Sequence, residues 1–192
     1  MNPYARAREL IDAAHAADPQ KTDGGRAAEL DYADRMERWT ERLVAAPSPL
    51  LRLAARCQHL ERWSVPRASF PLDRPGYLRW RKTLYARQAE RGRELLLAAG
   101  VPDVEAAEAA GWIAKSGLKT NPGTQALEDA ACLVFLEHEI GAFAARHADY
   151  SSGKFADILG KTWRKMSPAA QALARGLALP PAIAALVREM AG

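Results

Sequence analysis

Four groups of basic and aromatic residues carry the chemistry open to this chain. Arg52, Arg56, His59, Arg62 and Trp63 form the first, and Tyr77, Arg79, Trp80, Arg81 and Lys82 the second. Lys115 and Lys119 flank the loop at Ser116-Gly117, and Lys161, Trp163, Arg164 and Lys165 close the set. Arginine forks match phosphate, sulfate or carboxylate oxygens, and aromatic faces stack on rings and cations. Arg56, Arg62, Arg81 and Lys115 are candidates to clamp an anion. Trp63, Tyr77 and Trp80 are candidates to stack on a ring attached to it. His59 is the residue that can exchange a proton near neutral pH. Glu128 and Asp129 are the acids expected to orient it.

The elements that must position these groups are helices. Ala, Leu and Arg dominate the composition and β-branched residues are scarce, which favours helix and leaves little material for a sheet. Breaks at Pro47–Pro49, Pro66–Gly76, Gly100–Asp103, Ser116–Gly123, Tyr150–Gly153 and Pro180-Pro181 separate helical patterns. These patterns run over about 3–17, 26–45, 49–63, 75–99, 103–116, 124–147, 153–165, 167–178 and 181–190. In the 49–63 pattern Leu50, Leu53, Ala54, Cys57 and Leu60 share one face, with Arg52, Arg56, His59 and Trp63 opposite. The 124–147 pattern is apolar almost all round, as in the middle of a bundle, with Thr124 as its expected cap. The expected architecture is all-α, a single-domain helical bundle.

Charge and motifs exclude several classes. A net charge of +4 is mildly basic and suits a small anion as well as RNA. Cys57 and Cys132 sit in apolar patterns, with no disulfide framework or zinc spacing. No HExxH, P-loop, GxGxxG or GxSxG occurs, so neither a metal nor another cofactor is expected. The N-terminal stretch lacks an apolar core and is not expected to act as a signal peptide. No apolar run is long enough to span a bilayer. A soluble, cytoplasmic protein with no membrane partner is expected.

The blocks RCQHLERW (56–63), GYLRWR (76–81), LEDAACLVFLEH (127–138) and KTWRKMSP (161–168) resemble those of an uncharacterised bacterial and fungal family, a domain of unknown function, over nearly the whole chain. Some of its members are labelled glutamyl-tRNA synthetase. Such a synthetase needs a Rossmann-type fold with HIGH and KMSKS motifs, and here only Lys165-Met166-Ser167 echoes the second. A more distant resemblance is to the HD-domain phosphohydrolases. That resemblance implies an HD-like bundle in which Tyr32 takes the first histidine position and Gln58-His59 the His-Asp pair. Asp129 or Ala131 takes the late aspartate position, and Lys115 falls near an extra histidine. Gln and Tyr are poor ligands for a transition metal. The resemblance therefore implies a degenerate metal site, with Gln58 turned to ligand binding and the usual source of activated water removed.

Three functions follow as expectations. The leading one is binding of a small phosphorylated or sulfated ligand, a nucleotide among the candidates, with metal-independent hydrolase or lyase chemistry on it. The second is an RNA- or tRNA-binding accessory protein, disfavoured by 23 acids spread along the chain. The third is a non-catalytic interaction module in which Arg56 or Arg62 pairs with Glu128 or Asp129 to fasten helices.

Overall fold

Ten α-helices and no strand occur among residues 2–191, which the computed structural model describes. Four helices open on a hydroxyl, amide or carboxylate cap followed by proline at the first or second position: Asn2 before α1 (Pro3–Ala16), Ser48 before α3 (Pro49–Arg56), Asp73 before α4 (Arg74–Ala98) and Ser167 before α9 (Pro168–Arg175). Each cap side chain accepts a backbone N–H that the first turn leaves unpaired. The others are α2 (Ala28–Leu43), α5 (Asp103–Ile113), α6 (Pro122–Val134), α7 (Ile140–Arg146), α8 (Ser152–Lys165) and α10 (Pro181–Ala191). Among the described residues, no helix is long and apolar enough to cross a membrane.

Contacts divide the chain into two compact units, one ending at Leu127 and one beginning at Glu128. In the first unit α4 lies along α5, α2 along α3, and α1 against α2, α3 and α4. Ile11, Met36, Trp39, Leu53, Leu96 and Ile113 fill the space between them. Gly92 of α4 faces the Cys57 side chain and Ile113, so the helix backbones approach where a Cβ would crowd both. In the second unit α10 packs on α8 and α9, and Leu133, Leu136, Ile140 and Leu159 are buried.

The helix expected over 49–63 ends at Arg56. Gln58 N–H bonds to the Ala55 carbonyl and Leu60 N–H to Cys57, a tightening chain of turns, and His59 and Glu61 stand at φ 61° and 50°. Non-glycine residues pay roughly 1–2 kcal/mol in this left-handed region. The helix expected over 124–147 is divided by a π-helical turn at Phe135–Glu139. Asn121, not Thr124, caps α6: its Oδ1 accepts the Thr124 N–H at 3.1 Å, while the Thr124 hydroxyl donates to the Ser116 carbonyl at 2.6 Å.

Candidate functional site

Ending α3 at Arg56 buries that residue instead of presenting it on an outer face; it is 1% exposed. Its Nε donates to Asp12 at 2.8 Å, and Nη2 donates to the same oxygen. Its Nη1 donates to Asp34 at 2.9 Å and Glu37 at 2.8 Å. Arg8 holds Glu37 through two bonds, at 2.6 and 2.8 Å, and Arg26 reaches Asp34 at 2.5 Å. Burial pushes the Glu37 carboxyl up, but the Arg8 and Arg56 guanidiniums outweigh it and hold it below the usual carboxylate range. This network ties α1, α2 and α3 together. The expected partners Glu128 and Asp129 are replaced in that role by Asp12, Asp34 and Glu37, and Arg56 has no vacant fork for a ligand.

His15 completes the junction. It is fully buried, and its Nε2–H donates to the Arg56 carbonyl at 2.7 Å. Burial depresses its pKa, so the ring is neutral, and its Nδ1 has no partner.

His59 has a different setting. The turn after α3 sends its imidazole onto the ring of Tyr32 from α2, with centroids 3.9 Å apart and planes 10° from parallel. An Arg62 N–H lies 2.7 Å from His59 Nε2, and Glu29 Oε2 lies 3.3 Å from Nδ1. A guanidinium only donates, so Nε2 must be the accepting lone pair and Nδ1 must carry the proton directed at Glu29. Glu29 sits in the first turn of α2, where buried Asp18 accepts its backbone N–H at 3.0 Å and that of Gln20 at 2.9 Å. Burial pushes the Glu29 carboxyl up to about 7, against the opposing charge of Arg62. Gln58, beside His59 in the chain, is buried with its Nε2 unpartnered.

From Arg62 a ladder of cations and rings leads outward. The Arg62 guanidinium carbon is 5.0 Å from the centre of Trp80, whose indole N–H donates to the Val65 carbonyl at 2.9 Å. Arg67 lies 5.9 Å from the Tyr77 ring centre and 6.0 Å from that of Trp80. Arg81 lies 5.8 Å from Tyr77 and 5.2 Å from Tyr85, and Lys115 Nζ is 5.2 Å from Tyr85. Residues from three of the four sequence clusters are thus joined. Trp63, half-buried in a 3₁₀ turn at Arg62–Ser64, follows Arg62 directly.

The fourth cluster and both candidate acids belong to the second unit. Glu128 is buried, with Lys165 at 3.3 Å. Asp129 accepts the Ser167 N–H at 2.8 Å, which anchors the start of α9. Lys161 pairs with Asp157, and Arg175 lies over Trp163.

Spacing alone missed Glu29, Arg67 and Tyr85. An acid in the first turn of a helix reads as a partner of the helix dipole, and only folding sets it beside His59. Among the described residues no three His, Cys, Asp or Glu side chains gather to hold an ion. Burial pushes the Cys57 thiol up to about 12, so it is no nucleophile at neutral pH.

Residues 5–187 match the family described as Domain of unknown function (DUF4202), and the chain belongs to it. No curated protein and no solved structure matches the chain.

Proposed function

We propose that this DUF4202 member binds a small phosphorylated or sulfated ligand against His59 and Arg62, and that His59 and Glu29 move a proton on it. One observation carries the reading: a guanidinium with no carboxylate in direct contact donates to an imidazole whose other nitrogen faces a carboxyl poised near neutrality. An anion competes with His59 for Arg62. When Arg62 turns to the anion, the Nε2 lone pair becomes available as a general base toward a bound hydroxyl or water. Glu29 in its ionised form then stabilises the imidazolium, and Tyr32 keeps the ring in plane. Arg67 and Arg81 extend the cationic surface, and the exposed Tyr77 supplies a face for a ring such as a nucleobase, whereas Trp80 is buried against Val65 and Leu84 and is not available for stacking.

The HD-like ancestry belongs to the same proposal. Tyr32 stacked on His59 is the neighbourhood that the resemblance implies for the first histidine and the His-Asp pair.

A thermal-shift series with inorganic phosphate, sulfate and nucleoside mono- and diphosphates tests the reading. A ligand at a hundred times its Kd adds about 2.7 kcal/mol, or roughly 5–10 °C for a chain of this size. The expected result is a shift with one anion class that disappears in Arg62→Ala and persists in Lys161→Ala. Absence of any shift at millimolar anion overturns the proposal. Binding seen only with RNA, and falling steeply with salt, replaces it by the accessory-protein reading.

A further inference from the structure

Residues 66–82, the loop before α4 and its first turns, concentrate two features that the rest of the chain spreads out. Of the exposed large hydrophobic residues among the described ones, Leu72, Tyr77 and Leu78 lie within seven positions of one another, and Leu72 and Leu78 are 87% and 56% exposed. The same span carries five cations, Arg67, Arg74, Arg79, Arg81 and Lys82, against one acid, Asp73, a net +4 that equals the charge of the whole chain. Arg74, Arg79 and Lys82 are exposed, with no ion-pair or hydrogen-bond partner among the described residues. Asp73 is spent as the cap of α4, accepting the Gly76 N–H at 2.7 Å.

Helical spacing sets these groups on one side. Arg74, Leu78 and Lys82 are four residues apart and form one stripe, while Gly76, Trp80 and Leu84 form the opposite, buried one. The loop is pinned with Leu72 outward. Phe70 packs on Val65, Trp80 and Leu84, Arg67 donates to the Phe70 carbonyl at 2.9 Å, and the Pro71 carbonyl lies against Gly76, where a Cβ would clash. Leu72 is held out by a fixed backbone and has no slack to fold inward.

Cations at this density ask for a surface of anions, and a second copy of the chain would bring the same charge. Exposed leucines gain nothing from phosphates in water and ask for an apolar layer beneath them. A nucleic acid meets the first demand only. An anionic bilayer meets both: its headgroups pair with arginine and lysine, and its acyl boundary takes leucine side chains, with tyrosine at the interface between. At such exposure the two leucines protrude without walls around them, which suits a fluid layer that closes round a tip and not a shaped protein groove. The expectation of no membrane partner rested on spanning segments, and a face that lies on the surface needs none.

We propose that residues 66–82 dock this protein peripherally on an anionic lipid bilayer. Leu72 and Leu78 enter the headgroup–acyl boundary, and Arg74, Arg79 and Lys82 lie on the headgroup anions. None of these five residues belongs to the anion site at His59 and Arg62, so the two proposals stand or fall separately.

The test is flotation of the full chain with vesicles of phosphatidylcholine alone and of phosphatidylcholine with about one-third phosphatidylserine. Binding is expected only with the second, and should weaken with salt. The triple variant Arg74→Gln, Arg79→Gln, Lys82→Gln should lose about a hundredfold in affinity, at about fivefold per cation near the surface. Leu72→Ser with Leu78→Ser, at exposed positions, should lose about tenfold or more with an unchanged thermal midpoint. Arg6→Gln, Arg38→Gln and Arg188→Gln together remove the same charge from exposed positions elsewhere and should leave affinity within a few-fold, as should Arg62→Ala. No binding to phosphatidylserine vesicles, an equal loss in the two charge variants, or full binding by the leucine variant overturns the assignment. RNA or polyglutamate bound by this face in place of vesicles overturns it in favour of a nucleic-acid or an acidic protein partner.

Discussion

Arg56 and Arg62 come from one basic stretch, and their guanidiniums have opposite surroundings. Arg56 is enclosed by Asp12, Asp34 and Glu37, while Arg62 is half-buried, donates to an imidazole and lies over an indole. A guanidinium saturated by carboxylates fastens helices. One held by an imidazole and an aromatic face can still change partner when an anion arrives. The type of residue is the same, and its neighbours decide its work. Arg56→Ala is therefore the change with the largest expected effect: stranding buried carboxylates costs about 3–5 kcal/mol, and lowers the midpoint by roughly 10 °C in a chain of this length. Arg62→Ala should cost about 1 kcal/mol or less and abolish anion binding. Urea unfolding of the two variants measures both, and equal destabilisation would erase the distinction.

The two histidine environments, one buried and one partly exposed, sharpen the contrast through pH. Glu29, facing His59, has a folded pKa near 7, above its ordinary value of 4.5. The folded state then holds that proton more tightly than the unfolded chain does. The resulting stability is complete below about 4.5 and is lost as pH rises through 7, with an upper bound of about 3 kcal/mol. His15, facing the Arg56 carbonyl, is depressed and works in the opposite sense: its contribution is present above its ordinary value of 6.5 and is lost as pH falls through the folded value. Glu29→Gln retains the neutral amide-like form and removes the first dependence. Between pH 5 and 8 the thermal midpoint of the parent should fall relative to that of Glu29→Gln. Parallel curves would mean that the Glu29 carboxyl titrates in the ordinary range and is not poised for proton transfer.

Helix positions were largely legible because their signals are local. Ser48-Pro49, Asp73 with Pro75, and Ser167-Pro168 announce starts by chemistry confined to one turn. The end of α3 was not legible, since no glycine or proline follows Arg56 until Pro66 and the left-handed turns at His59 and Glu61 are imposed by tertiary packing. The candidate site was legible in its basic and aromatic half. Arg62, Tyr77, Trp80, Arg81 and Lys115 do gather, because α4 carries three of them, the turn before it carries Arg62, and the end of α5, which packs along α4, brings Lys115. Its acidic half was not. Asp12, Asp34 and Glu37 look like solvated helix acids until three helices bring them onto Arg56. Glu128 and Asp129 stand out in the sequence by lying within an apolar helix, yet their visible work is to hold Lys165 and the start of α9.

The smallest expected effect bears on what holds Arg62 where it is. Trp80 contributes an indole N–H, bonded to Val65, and a ring face beneath the guanidinium. Trp80→Phe removes the hydrogen bond and retains a face, so it should lose about 0.5–1.5 kcal/mol of stability and leave anion affinity within a few-fold. Trp80→Leu removes the face as well and should weaken anion binding further, since a cation over an aromatic ring is worth about 0.5–1 kcal/mol at a partly exposed site. Stability comes from unfolding curves and affinity from calorimetry with the same anion, so the two roles separate in one pair of variants. If Trp80→Phe lost as much affinity as Trp80→Leu, the hydrogen bond to Val65 would be what positions Arg62. The turn backbone, in place of the ring, would then be the element that keeps this guanidinium ready for a ligand.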